Sequence, residues 1–148
     1  MREAKDQIPT PERLNTAHLG IDVSKAKLDV CLLRLGKQRN KVVANTPSGH
    51  AELVLWLQKH GAVLAELHVC IEATGAYSEA CAIYLADAGC TVSIVNPLRI
   101  KGFGQSELVR NKTDEVDAAL IARFCATIKP EPWQAPSSLS GLKFYKTA

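Results

Sequence analysis

The chain has 148 residues, a length that fits one compact domain. Hydrophobic residues make up 47% and charged residues 22%, the balance of a water-soluble globular fold. No apolar run reaches the roughly 18 residues that span a bilayer, and residues 1–17 are polar and charged with no apolar core, which excludes a secretory leader. No membrane partner and a cytoplasmic location are therefore expected. The net charge of +3 is too small to prove a polyanionic partner by itself. Five cysteines (Cys31, Cys70, Cys81, Cys90 and Cys125) include no C-x-x-C pair, and the four histidines lack matching spacing, so the pattern argues for reduced core thiols rather than zinc.

Residues 1–17 read as a flexible lead-in with two prolines. Residues 18–22 form a short apolar run that closes on Asp22, and residues 28–33 and 41–45 read as two more strands across turns at 23–27 and 36–40. Three short strands on tight connections predict an antiparallel meander. From Thr46-Pro47 the texture becomes helical up to His60-Gly61, with Leu53 and Leu57 on the apolar stripe. Residues 67–71 form a buried strand ending on Glu72, Thr74-Gly75 opens a helix that closes at Gly89, and residues 91–95 form a fifth strand stopped by Asn96-Pro97. A last helix is predicted from about residue 113 or 114 to 128, with Val116, Leu120 and Phe124 on one stripe. The tail at 130–148, with Pro130, Pro132, Pro136 and several serines, reads as a linker or truncated end. The order β-β-β-α-β-α-β-α predicts an α/β domain over 18–129, with a mixed five-stranded sheet, flanking helices and right-handed parallel crossovers: a ribonuclease H-like arrangement.

Four carboxylates fall at converging places in that order. Asp22 and Glu72 close strands one and four, which are neighbours in such a sheet, so the two acids lie side by side. Two carboxylates that close repel unless one is protonated or a cation intervenes. Asp114 and Asp117, three apart on the expected helix, share one face near its first turn. Magnesium or manganese prefers such oxygen ligands, and a pair of ions can activate a nucleophile and stabilise the leaving oxygen of a phosphodiester. Between residues 96 and 112, Arg99, Lys101, Arg110 and Lys112 stand against the single acid Glu107, a cluster suited to phosphate contacts; Lys25, beside Asp22, joins them as a candidate.

Each acid also has a plainer role when taken alone. Asp22 could close an Asx turn, Glu72 could serve a helix N-terminus, and Asp114 and Asp117 could be an N-cap and a first-turn acid of the last helix. Asp29, in mid-strand, is expected to face solvent. An actin-like or sugar-kinase ATPase opens with a similar Asp strand, but it needs two such domains and a second phosphate turn.

The motifs Gly20-Ile-Asp22-Val-Ser-Lys25, Ile71-Glu72-Ala-Thr-Gly75, Asn96-Pro-Leu-Arg-Ile100 and Lys112-Thr-Asp114-x-x-Asp117-Ala118 together resemble the N-terminal, RuvC-like domain of the DEDD insertion-sequence transposases related to the Piv DNA invertase. The resemblance covers roughly residues 18–134. It implies that Asp22, Glu72, Asp114 and Asp117 are metal ligands of a DNA recombinase, with DNA as partner, a structured guide RNA and homo-oligomeric assembly. It also implies a second domain bearing a nucleophilic serine. Ser137, Ser138 and Ser140 lie in a linker context and do not supply that residue, so the expectation is half of a recombinase or, alternatively, a non-catalytic DNA- or guide-RNA-binding module.

Overall fold

The computed structural model describes residues 16–73, 75–106 and 116–134. Strands β1 (Ala17–Val23), β2 (Lys27–Arg34) and β3 (Lys37–Ala44) form the meander, followed by helix α1 (Pro47–Lys59), strand β4 (Leu67–Glu72), helix α2 (Glu79–Asp87), strand β5 (Thr91–Val95) and helices α3 (Pro97–Ser106) and α4 (Ala118–Ile128). The sheet order is β3-β2-β1-β4-β5, antiparallel across the meander and parallel from β1 to β4 to β5. The expected ribonuclease H-like sheet is borne out, with β1 and β4 adjacent.

Strand alternation sorts the side chains into two layers. Odd-numbered residues of β1 and β4 (Leu19, Ile21, Val69, Ile71) and even-numbered residues of β2 (Leu28, Val30, Leu32) pack with Leu53, Leu57, Cys81 and Leu85 of α1 and α2. The opposite parity faces α3 and α4: Cys31 packs with Ala118 and Ala122, and Cys70 with Leu120, Ile121, Phe124 and Cys125. Helix α4 lies directly on β1 because Gly20 has no side chain: a β-carbon there would overlap the Ala118 carbonyl oxygen and the Ala122 amide nitrogen.

Four local features differ from expectation. Strand β3 begins at Lys37, so residues 37–40 are strand rather than turn; the connection is the two-residue pair Leu35-Gly36, both at positive φ (54° and 77°). Positive φ at both positions matches the twist of a tight hairpin. Helix α2 is preceded by a 3₁₀ turn at Gly75–Ser78. Helix α3 was not foreseen, and it is held by buried Ile100 and by an edge-on contact of Phe103 with Phe124, centroids 5.6 Å apart. Residues 130–134, inside the segment read as linker, lie against β5: the Trp133 amide donates to the Val92 carbonyl at 2.6 Å. Among the described residues, no helix is long and apolar enough to cross a membrane.

Candidate metal centre and nucleic-acid interface

The same parity that buries Ile21 and Ile71 beneath α1 and α2 turns their successors, Asp22 and Glu72, towards α4. Ile21 and Ile71 are paired in the parallel β1–β4 ladder, so the acids that follow them stand side by side at the strands' C-terminal ends. Both are half-buried. Burial pushes the Glu72 carboxyl above its ordinary range, and the negative charge of Asp22 pushes it further.

Asp117 comes to the same groove as Asp22 by a different route from the one the sequence suggested. It is not on the helix: its backbone is extended (φ −131°, ψ 174°), and it caps α4, with Oδ1 accepting the Leu120 amide at 2.9 Å. Asp117 therefore does not stand in the helix's first turn, because a capping residue keeps non-helical geometry. Asp114, Arg110 and Lys112 lie outside the described residues. A groove of ≈ 390 Å³ runs between β2, β3 and the start of α4; Asp22, Asp29, Asn40, Lys41 and Asp117 line it, whereas Glu72 does not.

Asp29 was expected to face solvent. Its side chain is 41% exposed, and it also lines this groove, sitting opposite Asp22 in the β1–β2 register. Period-two alternation could have found it, since Asp29 has the parity of Cys31. Lys27 lies 4.0 Å from its carboxylate, and Lys41 is held by Glu52 at 3.2 Å.

The candidate phosphate contacts divide. Lys25 is exposed in the β1–β2 turn, at the Asp22 end of the sheet, and Lys101 is exposed on α3. That turn is fixed by Asn45, whose Nδ2 donates to the Ser24 carbonyl at 2.9 Å and to the Tyr77 carbonyl at 3.0 Å. Arg99 is already engaged: it lies 3.5 Å from Glu131 and 5.5 Å from the centre of the Phe124 ring, towards the C-terminal half of α4.

A second grouping escaped the spacing argument. His68, Cys70 and Cys125 bring their ligating atoms within 4.8 Å of one another, because alternate residues of β4 meet one turn of α4. Their polar atoms are bonded internally. Cys125 Sγ donates to the His68 carbonyl at 3.5 Å, and His68 Nε2 stands 2.8 Å from Ser93 Oγ. Ser93 Oγ also reaches the Glu131 carbonyl at 2.8 Å, to which it donates. A hydrogen bond with Cys70 and burial both push the Cys125 thiol up. These are the features of a satisfied core.

Strand-end acids on a β1–β4 pair, with a capped helix laid across the same face, define a RuvC-like carboxylate fold. Two structures of Thermus thermophilus RuvC, one in complex with a Holliday junction substrate, match this fold with TM-scores of 0.55 and 0.54 at 16% identity; each match covers 80% of this chain and 99–100% of that one. A family model described as "Transposase" matches residues 19–140, and the chain belongs to this DEDD transposase family. Pilin gene-inverting proteins of Moraxella lacunata and Moraxella bovis are 40% and 39% identical over 124 residues, covering 84% of this chain. The chain spans 38% of the length of those relatives.

Proposed function

We propose that residues 18–129 form the carboxylate domain of a DNA transposase or recombinase, acting on DNA phosphodiesters with Mg2+ or Mn2+ held by Asp22, Glu72, Asp114 and Asp117. One observation carries this reading: Asp22 and Glu72 stand side by side on the face covered by α4, and the charge of Asp22 disfavours ionisation of Glu72. A divalent cation removes that conflict, and a set of carboxylate oxygens suits a hard ion. When bound, such an ion supplies Lewis-acid activation of water or a hydroxyl and charge stabilisation at phosphorus.

The remaining work belongs to the chain's own side chains. Asp22 and Glu72 sit on rigid strand ends, so their positions do not depend on a loop. Asp117 is fixed by its capping bond, which ties the third carboxylate to the docking of α4. Lys25, in the turn that follows Asp22, and Lys101, exposed on α3, would meet the DNA backbone, and Asp29 adds negative charge next to Asp22. The resemblance to transposases and pilin gene-inverting proteins supports DNA as the substrate, as does a RuvC relative bound to a Holliday junction. Guide-RNA binding and homo-oligomer formation belong to the same reading.

The test is calorimetric titration of Mn2+ into the chain and into Asp22→Ala, alongside nicking of supercoiled DNA. Loss of metal uptake and nicking, with circular dichroism unchanged, is the expected result. Equal metal uptake by a folded Asp22→Ala overturns the site. DNA binding that persists without metal uptake or nicking in the unmutated chain assigns a binding module instead.

A further inference from the structure

The rear of the sheet carries a second charged cavity that the carboxylate groove does not use. On β3 the residues with the parity of buried Val43 face the α1 side, and these include Lys37 and Arg39. Arg34 of β2 is the direct cross-strand partner of Lys37, and Arg39 pairs with Leu32 one alternation along. Arg34, Lys37, Arg39 and His60, which ends α1, line a pocket of ≈ 130 Å³ floored by Leu32. The guanidinium of Arg34 lies against Gly61, its central carbon 2.8 Å from where a β-carbon would stand.

Cations directly opposite one another on a sheet repel. Among the described residues, no acidic side chain forms an ion pair with Arg34, Lys37 or Arg39. The Nε of Arg34 is buried with no hydrogen-bond partner. Leaving such a donor unmade costs about 1–3 kcal/mol, more for a charged group. Positive potential also reaches His60, whose proton affinity is lowered by desolvation and then by Arg39 and Lys59. Charged residues on an edge strand discourage sheet-to-sheet pairing, which accounts for exposed Lys37 and Arg39. It does not account for a guanidinium nitrogen buried without a partner beside them.

We infer that Arg34, Lys37 and Arg39 form a phosphate-binding site for a nucleic-acid backbone on the face of the sheet opposite the carboxylates. The inference rests on the reading that the chain acts on nucleic acid, and it adds where a second segment of that polymer is held. The Arg34 position lies five residues along the ladder from the Asp22–Asp29 pair, about 17 Å at strand rise. With the sheet also between them, the bound segment is not the one presented to Asp22 and Glu72. The guanidinium fork of Arg34 suits bidentate contact with phosphate oxygens, and Lys37 and Arg39 add charge on either side.

The experiment compares the full chain with Arg34→Gln/Lys37→Gln/Arg39→Gln, measuring anisotropy of fluorescein-labelled duplex DNA and hairpin RNA across a potassium chloride series. The expected result is at least tenfold weaker binding of one or both probes. The slope of log affinity on log salt should fall by about 2–3, at roughly 0.9 per phosphate neutralised. Mn2+ uptake should match the unmutated chain. Unchanged affinity and slope overturn the inference, as does a pocket that takes inorganic phosphate while neither probe distinguishes the variant. If the unmutated chain binds neither probe, the functional reading falls with it; if it binds both and the variant binds equally, this inference alone falls. The double variant Lys37→Gln/Arg39→Gln, confined to exposed side chains, carries the same comparison if Arg34 proves necessary for folding, with a slope change of about 2 expected.

Discussion

Gly20 and Ala122 meet backbone to backbone, with no room for a β-carbon between strand and helix. That contact sets how far the N-terminus of α4, and with it Asp117, stands from Asp22 two residues along β1. Gly20→Ala forces the helix off the sheet and is expected to cost about 1–3 kcal/mol, as overpacking of a close contact does. Urea unfolding should show a lower midpoint with an unchanged slope, and Mn2+ affinity should fall in the fraction that remains folded. A stability loss under 0.5 kcal/mol would mean the contact is not the constraint argued here.

How much of this was legible follows from the kind of signal each residue carries. Asp22 and Glu72 could be read because each ends an apolar run, and alternation leaves little freedom in where a strand-end acid points. Asp117 was read as helical and is a cap: Val116, Leu120 and Phe124 continue the helical stripe, and that periodicity does not register a cap. Helix α3 was hidden by two glycines and a proline in PLRIKGFGQS, and tertiary contacts of Ile100 and Phe103 outweigh that weak local preference. The first half of strand β3, residues 37–40, gave no alternation because its side chains are exposed at the sheet edge, so only the pairing with β2 defines it. The basic rear pocket needs that pairing too, since Arg34 and Lys37 become neighbours only across the hairpin.

The Asp22–Glu72 pair predicts a trade between stability and metal binding. Glu72 has a raised carboxyl, so its ionised form is disfavoured in the folded state relative to the unfolded one. A raised acid contributes stability below its unfolded value and loses it as pH rises through the folded one. Glu72→Gln removes that loss, so without metal its Tm at pH 7.5 should exceed that of the unmutated chain. Adding Mn2+ should reverse the ranking. At a hundredfold excess over Kd the unmutated chain gains about 2.7 kcal/mol, and the variant gains far less. Equal Mn2+ stabilisation of both proteins would remove Glu72 from the metal site.

All five cysteines are buried, and burial raises the thiols of Cys31 and Cys90 to about 11 and that of Cys81 to about 12. The thiolate is the reactive form, so these groups are poor nucleophiles while the chain is folded. A disulfide-exchange reagent at pH 8 should therefore titrate fewer than one thiol per native chain within minutes, and all five after denaturation. Fast reaction of two thiols in the native chain would show that α4 opens from β4 and exposes Cys70 and Cys125, contrary to the docking that Gly20 enforces.

His18 makes a further prediction about acid stability. Its ring lies 6.3 Å from that of His68, and its pKa is lowered from 6.5 to about 4, first by burial and then by the positive charges of Lys129 and His68. The folded chain therefore keeps His18 neutral where the unfolded chain would protonate it. Stability from this source is complete above pH 6.5 and is lost as pH falls towards about 4, the window between the unfolded and folded values. His68 and His50 are lowered as well, so they add slope of the same sign. His18→Gln keeps a polar side chain but cannot take up the proton, and its Tm should decline less steeply between pH 6.5 and 4 than that of the unmutated chain. Thermal unfolding followed by circular dichroism at half-unit pH steps measures the difference. Parallel curves for the two proteins would show that protonation of His18 does not oppose folding.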